Sequence, residues 1–208
     1  MEVGVGEPEL WGEGHPGLSP SNDPAVAIAL LGRVDRSDPD VARAADRVLA
    51  LVEGADLPAD RRTRPGHLTG SAFVVSSDRR AAVLLLHRKL GLWLQPGGHA
   101  DEDTNLAAVA LREATEETGI PGLRIDPTPV DVDVHEVRPP REDPHLHLDV
   151  RFLVVAPPGA VPVANEESED VRWVPVDELG EWPLDPGLRR LAAAALRRVA
   201  GINGPTGD

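Results

Sequence analysis

The sequence predicts an α/β fold, a sandwich of helices around a mixed β-sheet, preceded by a short helical N-terminal extension. Two segments rich in strand-forming residues, 68–76 and 81–86, are separated by a polar turn at 77–80. An amphipathic helix is predicted over 104–118, and further alternating strands follow it. Because strands both precede and follow the helix, we expect helix and sheet to pack as layers around one core.

The first 65 residues differ in composition from the rest of the chain. Residues 1–24 hold five acidic residues, no lysine or arginine, and many glycines and prolines, which predicts a flexible acidic arm. Helices are predicted over 25–31 and 39–53, and together with a linker they make up an extension over residues 25–65. This extension either covers a functional site or forms a homodimer interface.

The main domain is predicted over residues 66–202. The helix at 104–118 has an apolar stripe at helical spacing and a glycine at position 119 that can end it. The other predicted elements are the two strands already named, a short strand entering a Gly-Gly loop over 92–99, strands over 130–137, 145–156 and 171–174, and a final helix over 188–199.

Composition excludes several classes of protein. The chain of 208 residues carries a formal net charge of −14, which argues against binding to a nucleic-acid duplex. It has no cysteine, and therefore neither disulfides nor thiolate metal sites, and it has no apolar run long enough to span a membrane. The N-terminus lacks the order of a signal peptide, so we expect a cytoplasmic protein. The net negative charge is carried by residues 1–24, 101–117 and 166–170.

Three carboxylates share one face of the predicted helix over 104–118. Glu113, Glu116 and Glu117 are spaced i, i+3 and i+4, and such like charges repel one another. Taken alone, the stripe is typical of a solvated acidic helix face. A divalent cation would offset the repulsion, because Mg²⁺ prefers oxygen ligands.

The spacing around this helix resembles a known motif. Gly98, followed by Arg112 to Ile120 (REATEETGI), resembles the Nudix box, G-x5-E-x7-R-E-U-x-E-E-x-G-U, in which U is aliphatic. The resemblance covers about residues 66–180, and the segments GHLT at 66–69 and WLQPGGH at 93–99 are similar to a bacterial branch of that family. It implies a Nudix-type α/β/α sandwich and a metal-dependent hydrolase that cleaves the diphosphate linkage of a nucleoside diphosphate derivative.

The resemblance also implies roles for individual residues. Glu116 and Glu117 would be the main ligands of Mg²⁺ or Mn²⁺, and Glu113 would be a further ligand or the general base. Arg112 would orient Glu113, and the carbonyl of Gly98 would be an additional ligand. The expected partner is a small-molecule diphosphate derived from a nucleotide.

One position departs from the motif, since Thr104 stands where the family has its first glutamate. We interpret Thr104 as a helix N-cap and expect the enzyme to remain active, with neighbouring acids able to compensate. The alternative is a catalytically weak or inactive binding module, for which Thr104 is the best support.

Two further clusters are candidates for substrate contact. Strict alternation places His145, His147, Asp149 and Arg151 on one face of a strand, where His99 can meet them. That face contacts substrate, binds a transition metal, or is simply exposed. The remaining candidates lie in an acidic loop, Glu166 and Glu167.

Overall fold

A mixed β-sheet lies at the centre of residues 9–202, the part of the chain that this computed structural model describes. Its nine strands are β1 (Trp11–Gly12), β2 (Gly66–Val75), β3 (Ala81–His87), β4 (Trp93–Leu94), β5 (Gly97–His99), β6 (Arg124–Ile125), β7 (Asp131–Val137), β8 (His145–Val155) and β9 (Ser168–Pro175). The helices are α1 (Pro24–Leu31), α2 (Pro39–Glu53), α3 (Leu106–Thr118) and α4 (Pro186–Ile202), with a 3₁₀ turn at Pro16–Leu18.

The long strands β2 and β8 form the middle of the sheet. They run parallel, in register from Gly66 opposite Leu146 to Val75 opposite Val155. Strands β7 and β6 pair antiparallel with successive parts of β8, while β3 and β5 pair antiparallel with β2. Strand β9 pairs with β3. One parallel pair among antiparallel neighbours makes the sheet mixed, as predicted.

Helices cover both faces of the sheet. Alternate residues of β2 enter two different clusters: Leu68 and Val74 pack with α1, α2 and α3, whereas Phe73 and Val75 pack with α4. The period-2 alternation of a strand explains this division. The predicted α/β/α sandwich is therefore confirmed, and the helices of the N-terminal extension share the core formed by α3.

Most predicted elements appear within two or three residues of their expected bounds. Gly119 ends α3 in the left-handed conformation, at φ 63°, where a residue without a Cβ is favoured. The predicted strand over 92–99 is two short strands, β4 and β5. The two-residue strands β1 and β6 were not predicted, because so short a segment carries no detectable periodicity. The division of the chain at residues 25, 66 and 202 stays a prediction.

The arm predicted over residues 1–24 differs in the structure. Its first eight residues lie outside the described part of the chain, but residues 9–23 pack against the protein. Strand β1 pairs with β6, and Trp11 stacks on His15 with ring centroids 4.4 Å apart. The amide of Asn105 donates to the carbonyls of Gly17 and Ser19, both at 3.0 Å. Flexibility is therefore the wrong prediction for residues 9–23, because their backbone carbonyls find buried donors.

Thr104 also holds the N-terminal segment of residues 9–23 against the protein. It is 1% exposed, and its hydroxyl donates to the carbonyls of Ser21 at 3.0 Å and Asp23 at 2.7 Å. The N-cap of α3 is Asn105, one residue later. The prediction that Thr104 caps the helix is therefore wrong: its side chain fastens the N-terminal segment instead.

Replacing Thr104 by valine tests this role. The variant loses a hydroxyl that donates to two carbonyls, and we expect it to lower the free energy of unfolding by about 1–3 kcal/mol. We also expect faster proteolysis within residues 9–23, measured by mass spectrometry of the released fragments. Thr63→Val, which removes a hydroxyl bonded to Leu57 O in another loop, is the matched control. Equal proteolysis of the two variants would count against the role.

Among residues 9–202, no helix is both long enough and apolar enough to cross a bilayer.

Candidate active site

Helix α3 carries the three predicted glutamates along strands β2 and β5. Glu117 is 9% exposed, Glu113 is partly buried and Glu116 is exposed. The helical spacing puts them on one side, as predicted, and the packing of α3 against β2 then gives each carboxylate a different depth.

Strand β5 approaches two of these carboxylates through its glycines. The amide of Gly97 donates to Oε2 of Glu117 at 2.8 Å. A Cβ placed on Gly98 would lie 2.5 Å from Oε2 of Glu113, closer than non-bonded contact allows. A side chain at position 98 would therefore require the Glu113 carboxylate to move away from the strand.

Arg112 links the helix to the same strand. Its Nη2 lies 3.0 Å from Oε1 of Glu113 and donates to the carbonyl of His99 at 3.1 Å. The guanidinium thus holds the Glu113 carboxylate beside β5. The role that the motif resemblance implies for the arginine, orienting Glu113, stays a prediction.

Burial makes the two inner carboxylates reluctant to ionise. It raises the pKa of Glu113 to about 7, with Arg112 opposing the shift and Glu116 adding to it. Burial likewise raises the pKa of Glu117 to about 7, although the hydrogen bond from Gly97 acts in the other direction. A bound cation would stabilise the charged forms of these carboxylates, which burial disfavours.

The acidic loop reaches the same region. Asn165 Nδ2 donates to the carbonyl of Glu116 at 3.5 Å, and Arg88 Nε donates to the carbonyl of Glu166 at 2.9 Å. The charge of Glu167 contributes to the raised pKa of Glu113. Two acidic segments that are distant in sequence therefore lie close together, and the side chains of Glu166 and Glu167 are both exposed.

The pH dependence of stability should reveal the buried Glu117. Its pKa is about 7 in the folded protein against an ordinary value of 4.5. Protonated Glu117 therefore favours folding below about pH 4.5, and this contribution is lost as the pH rises through about 7. In chelator-treated protein, we expect Glu117→Gln to raise the melting temperature at pH 8 but not at pH 4. The exposed Glu53→Gln should show no such trend, and a pH-independent difference for Glu117→Gln would contradict the assignment.

Most of the polar face of β8 is buried, so the alternative of an exposed strand is wrong. Asp149 and Arg151 are 2% and 4% exposed. Asp149 accepts hydrogen bonds from the hydroxyls of Thr69 at 3.0 Å and Ser71 at 2.9 Å, and from Arg151 Nε at 2.7 Å. These hydrogen bonds engage polar atoms of Asp149 and Arg151, two of the residues predicted to contact substrate.

Arg151 extends this arrangement into an ion network. Its Nη1 and Nη2 each lie 3.2 Å from a carboxylate, of Asp131 and Asp133 respectively. Arg190 of α4 pairs with the same two aspartates, at 2.9 and 2.8 Å. The network joins β7, β8 and α4, and we propose a structural role for Asp149 and Arg151 in place of substrate contact.

The predicted meeting of His99 with β8 does occur. The rings of His99 and His147 lie 5.2 Å apart between centroids. The ring of His67 lies about 5 Å from those of His99, His145 and His147. Sequence reasoning missed His67 because nothing in the local sequence shows which strands become neighbours. The His-x-His pattern at 145–147 did signal the histidines of β8.

Comparison with known proteins places the chain in a family. A family model described as a NUDIX domain matches residues 67–195. A putative 8-oxo-dGTP diphosphatase 3 of Mycobacterium tuberculosis is 36% identical over 120 residues, covering 53% of this chain and 52% of the relative. A CMP-5'-(N-acetyl-N-hydroxy-3-aminopropyl)phosphonate hydrolase of Streptomyces rubellomurinus is 32% identical over 124 residues, covering 54% of each chain.

The fold also matches solved structures. The NUDIX domain of Shewanella oneidensis NrtR, solved in complex with ADP ribose, superposes with a TM-score of 0.51 at 22% identity, covering 73% of this chain and 97% of that one. At this level of identity the match concerns the fold alone. The chain spans about half the length of the curated relatives it matches.

Proposed function

Since this chain belongs to the NUDIX domain family, we propose that it hydrolyses the diphosphate linkage of a small nucleotide-derived molecule with the help of Mg²⁺ or Mn²⁺. The activities named for the matched relatives, a diphosphatase and a CMP-phosphonate hydrolase, support this reaction class. The proposal also includes the catalytic set Arg112, Glu113, Glu116 and Glu117.

The observation that carries the proposal is the accumulation of carboxylates around one arginine. The charges of Glu116 and Glu167 add to the raised pKa of both Glu113 and Glu117, and Arg112 is in contact with Glu113. Their oxygens are hard donors of the kind that Mg²⁺ prefers, so the residues fit such an ion. We propose that the three α3 glutamates hold it together with the carbonyl of Gly98.

The protein's own groups would prepare the site for hydrolysis. When bound, the divalent ion supplies positive charge for the diphosphate oxygens and lowers the pKa of water. The Gly97 amide holds Glu117, and Arg112 holds Glu113, so the carboxylates keep their orientation without substrate. The raised pKa of Glu113 and Glu117 suits a group that accepts a proton from the attacking water near neutral pH. Because the carboxylates are coupled, we assign the proton to the set.

A panel of diphosphates tests the proposal. Nucleoside triphosphates, nucleotide sugars, dinucleoside polyphosphates and ADP-ribose would be incubated with Mg²⁺, Mn²⁺ and Zn²⁺, and products identified by mass. Hydrolysis in ¹⁸O-labelled water should place one labelled oxygen on phosphorus. If no diphosphate is cleaved with any of these ions, the proposal fails.

A second candidate is a binding module with weak or no catalysis. It is favoured by Thr104, whose hydroxyl is committed to Ser21 and Asp23 where the family motif has a carboxylate. A module would bind a nucleotide diphosphate, measured by calorimetry, with no product formed. The retained Glu113, Glu116 and Glu117 favour the enzyme, because a module gains nothing from three repelling carboxylates.

Location and assembly belong to the same proposal. We infer a cytoplasmic protein acting on small molecules. A homodimer built through residues 25–54 remains the alternative to a role of that segment in covering the site. Light scattering of the purified chain distinguishes the two.

A further inference from the structure

Histidines from four strands gather on one face of the sheet, near the ends where β2 and β8 begin. His147 of β8 lies opposite His67 of β2 on one side and His135 of β7 on the other. His99 of β5 lies opposite Thr69, so its side chain is on the same face as that of His67. Strand pairing brings the ring centroids of neighbouring histidines to about 5 Å from one another, so the register of the strands assembles the cluster.

Three of these rings converge. His67, His99 and His147 each present a ring nitrogen, and the three nitrogens all lie within 4.8 Å of one another. Nitrogen ligands about 2.0–2.1 Å from a tetrahedral Zn²⁺ lie roughly 3.3 Å apart. Small side-chain rotations therefore suffice to bring them onto a common ion.

His67 supplies an independent observation. It is 1% exposed, and neither of its ring nitrogens has a hydrogen-bond partner among the described residues. Buried polar atoms are normally satisfied, and leaving one unpaired costs about 1–3 kcal/mol. A histidine that served only packing would donate its N–H to a neighbour. The orphaned nitrogens point to a ligand that is bound between the rings.

The rings are in the form that binds metals. Burial lowers the pKa of His67 to about 4 and that of His147 to about 3; neighbouring histidines add to both shifts, and nearby arginines add to that of His67 alone. At neutral pH the rings of His67 and His147 are therefore uncharged, and neutral imidazole is the ligand form.

We propose that His67, His99 and His147 bind one divalent transition-metal ion of the borderline class, such as Zn²⁺ or Co²⁺. Three imidazoles suit this class, whereas Mg²⁺ prefers oxygen. His99 and His147 are only partly buried, which leaves a fourth coordination position for water or an anionic oxygen. The site is separate from the glutamates, because Gly98 faces Glu113 while the next residue, His99, faces the opposite side of the sheet.

A Co²⁺ titration of the chelator-treated full chain tests the site. We expect one equivalent to give the intense visible absorption of four-coordinate Co²⁺, which Zn²⁺ abolishes and excess Mg²⁺ does not. His99→Gln and His147→Gln should each weaken binding at least about a hundredfold. Far-UV circular dichroism establishes that each variant is folded.

Two matched variants separate this site from other metal binding. His87→Gln, outside the cluster with its Nδ1 accepting from backbone amides, should bind Co²⁺ as the wild type does. Glu117→Gln should also retain the absorption, so failure of the proposed hydrolysis does not decide this test. Absorption that persists in both cluster variants, or is lost in Glu117→Gln, would overturn the proposal.

The wild-type chain gives a readout that needs no variant. In ¹⁵N spectra of the histidine side chains, Zn²⁺ should shift the ring nitrogens of His67, His99 and His147. Unchanged signals from these rings at saturating Zn²⁺ would refute the site, even if every variant misfolded.

Discussion

Glu117→Gln is expected to lower the turnover of diphosphate hydrolysis about a thousandfold while leaving the fold intact. The glutamine side chain keeps an oxygen that can accept the hydrogen bond from the Gly97 amide, which in the wild type lies 2.8 Å from Oε2 of Glu117. The substitution removes the negative charge that would bind a cation, and the glutamine side chain cannot accept a proton from the attacking water. Turnover would be measured on the best substrate of the diphosphate panel, with Mg²⁺ at saturation.

A control variant separates loss of charge at the site from loss of charge in general. Glu53→Gln alters an exposed glutamate at the end of α2 and should retain full activity. The melting temperatures of both variants should stay at or above that of the wild type. If Glu117→Gln unfolds, or if it hydrolyses the substrate at the wild-type rate, the catalytic assignment is wrong.

Arg151→Met is expected to give the largest loss of stability, about 3–5 kcal/mol. The arginine is 4% exposed and contacts Asp131, Asp133 and Asp149. Removing it leaves buried carboxylates without one of their cations, and Arg190 reaches only two of them. For a chain of this size the melting temperature should fall by roughly 10 °C.

Arg43→Met is the matched control, because it removes an arginine from an exposed pair with Asp40. Such pairs contribute about 0–1 kcal/mol, so the control should melt close to the wild type. Denaturant unfolding gives both free energies. A stable Arg151→Met variant with a raised KM would restore the substrate contact that the sequence predicted for this residue.

The glutamates that helix α3 contributes to the site were predictable, because their arrangement depends only on spacing within one helix. Glu113, Glu116 and Glu117 lie on one side of any α-helix by their spacing alone. The significance of the glycine at position 98 was visible only through the motif resemblance. Its physical reason, the proximity of Glu113 Oε2, comes from the packing of β5 beside the helix.

Contacts between distant segments were not predictable in the same way. Thr104 looks like a helix cap in sequence, but its hydroxyl bonds carbonyls about eighty residues earlier in the chain. Asp149 and Arg151 are candidates for substrate contact in sequence, yet hydroxyls of β2 bond Asp149, and β7 and α4 supply partners of Arg151. In each case the partner, and not the residue itself, decides the role.

The sequence by itself determined the layered α/β fold, the bounds of the longer elements and the carboxylate stripe of α3. Each of these depends on periodicity or spacing within one segment. Only the tertiary structure decided which strands are neighbours, and in which register. That register places His67 against His147 and His99, and it leaves the nitrogens of a buried histidine without partners among the described residues. Strand pairing depends on contacts between residues far apart in the chain, which no local pattern encodes.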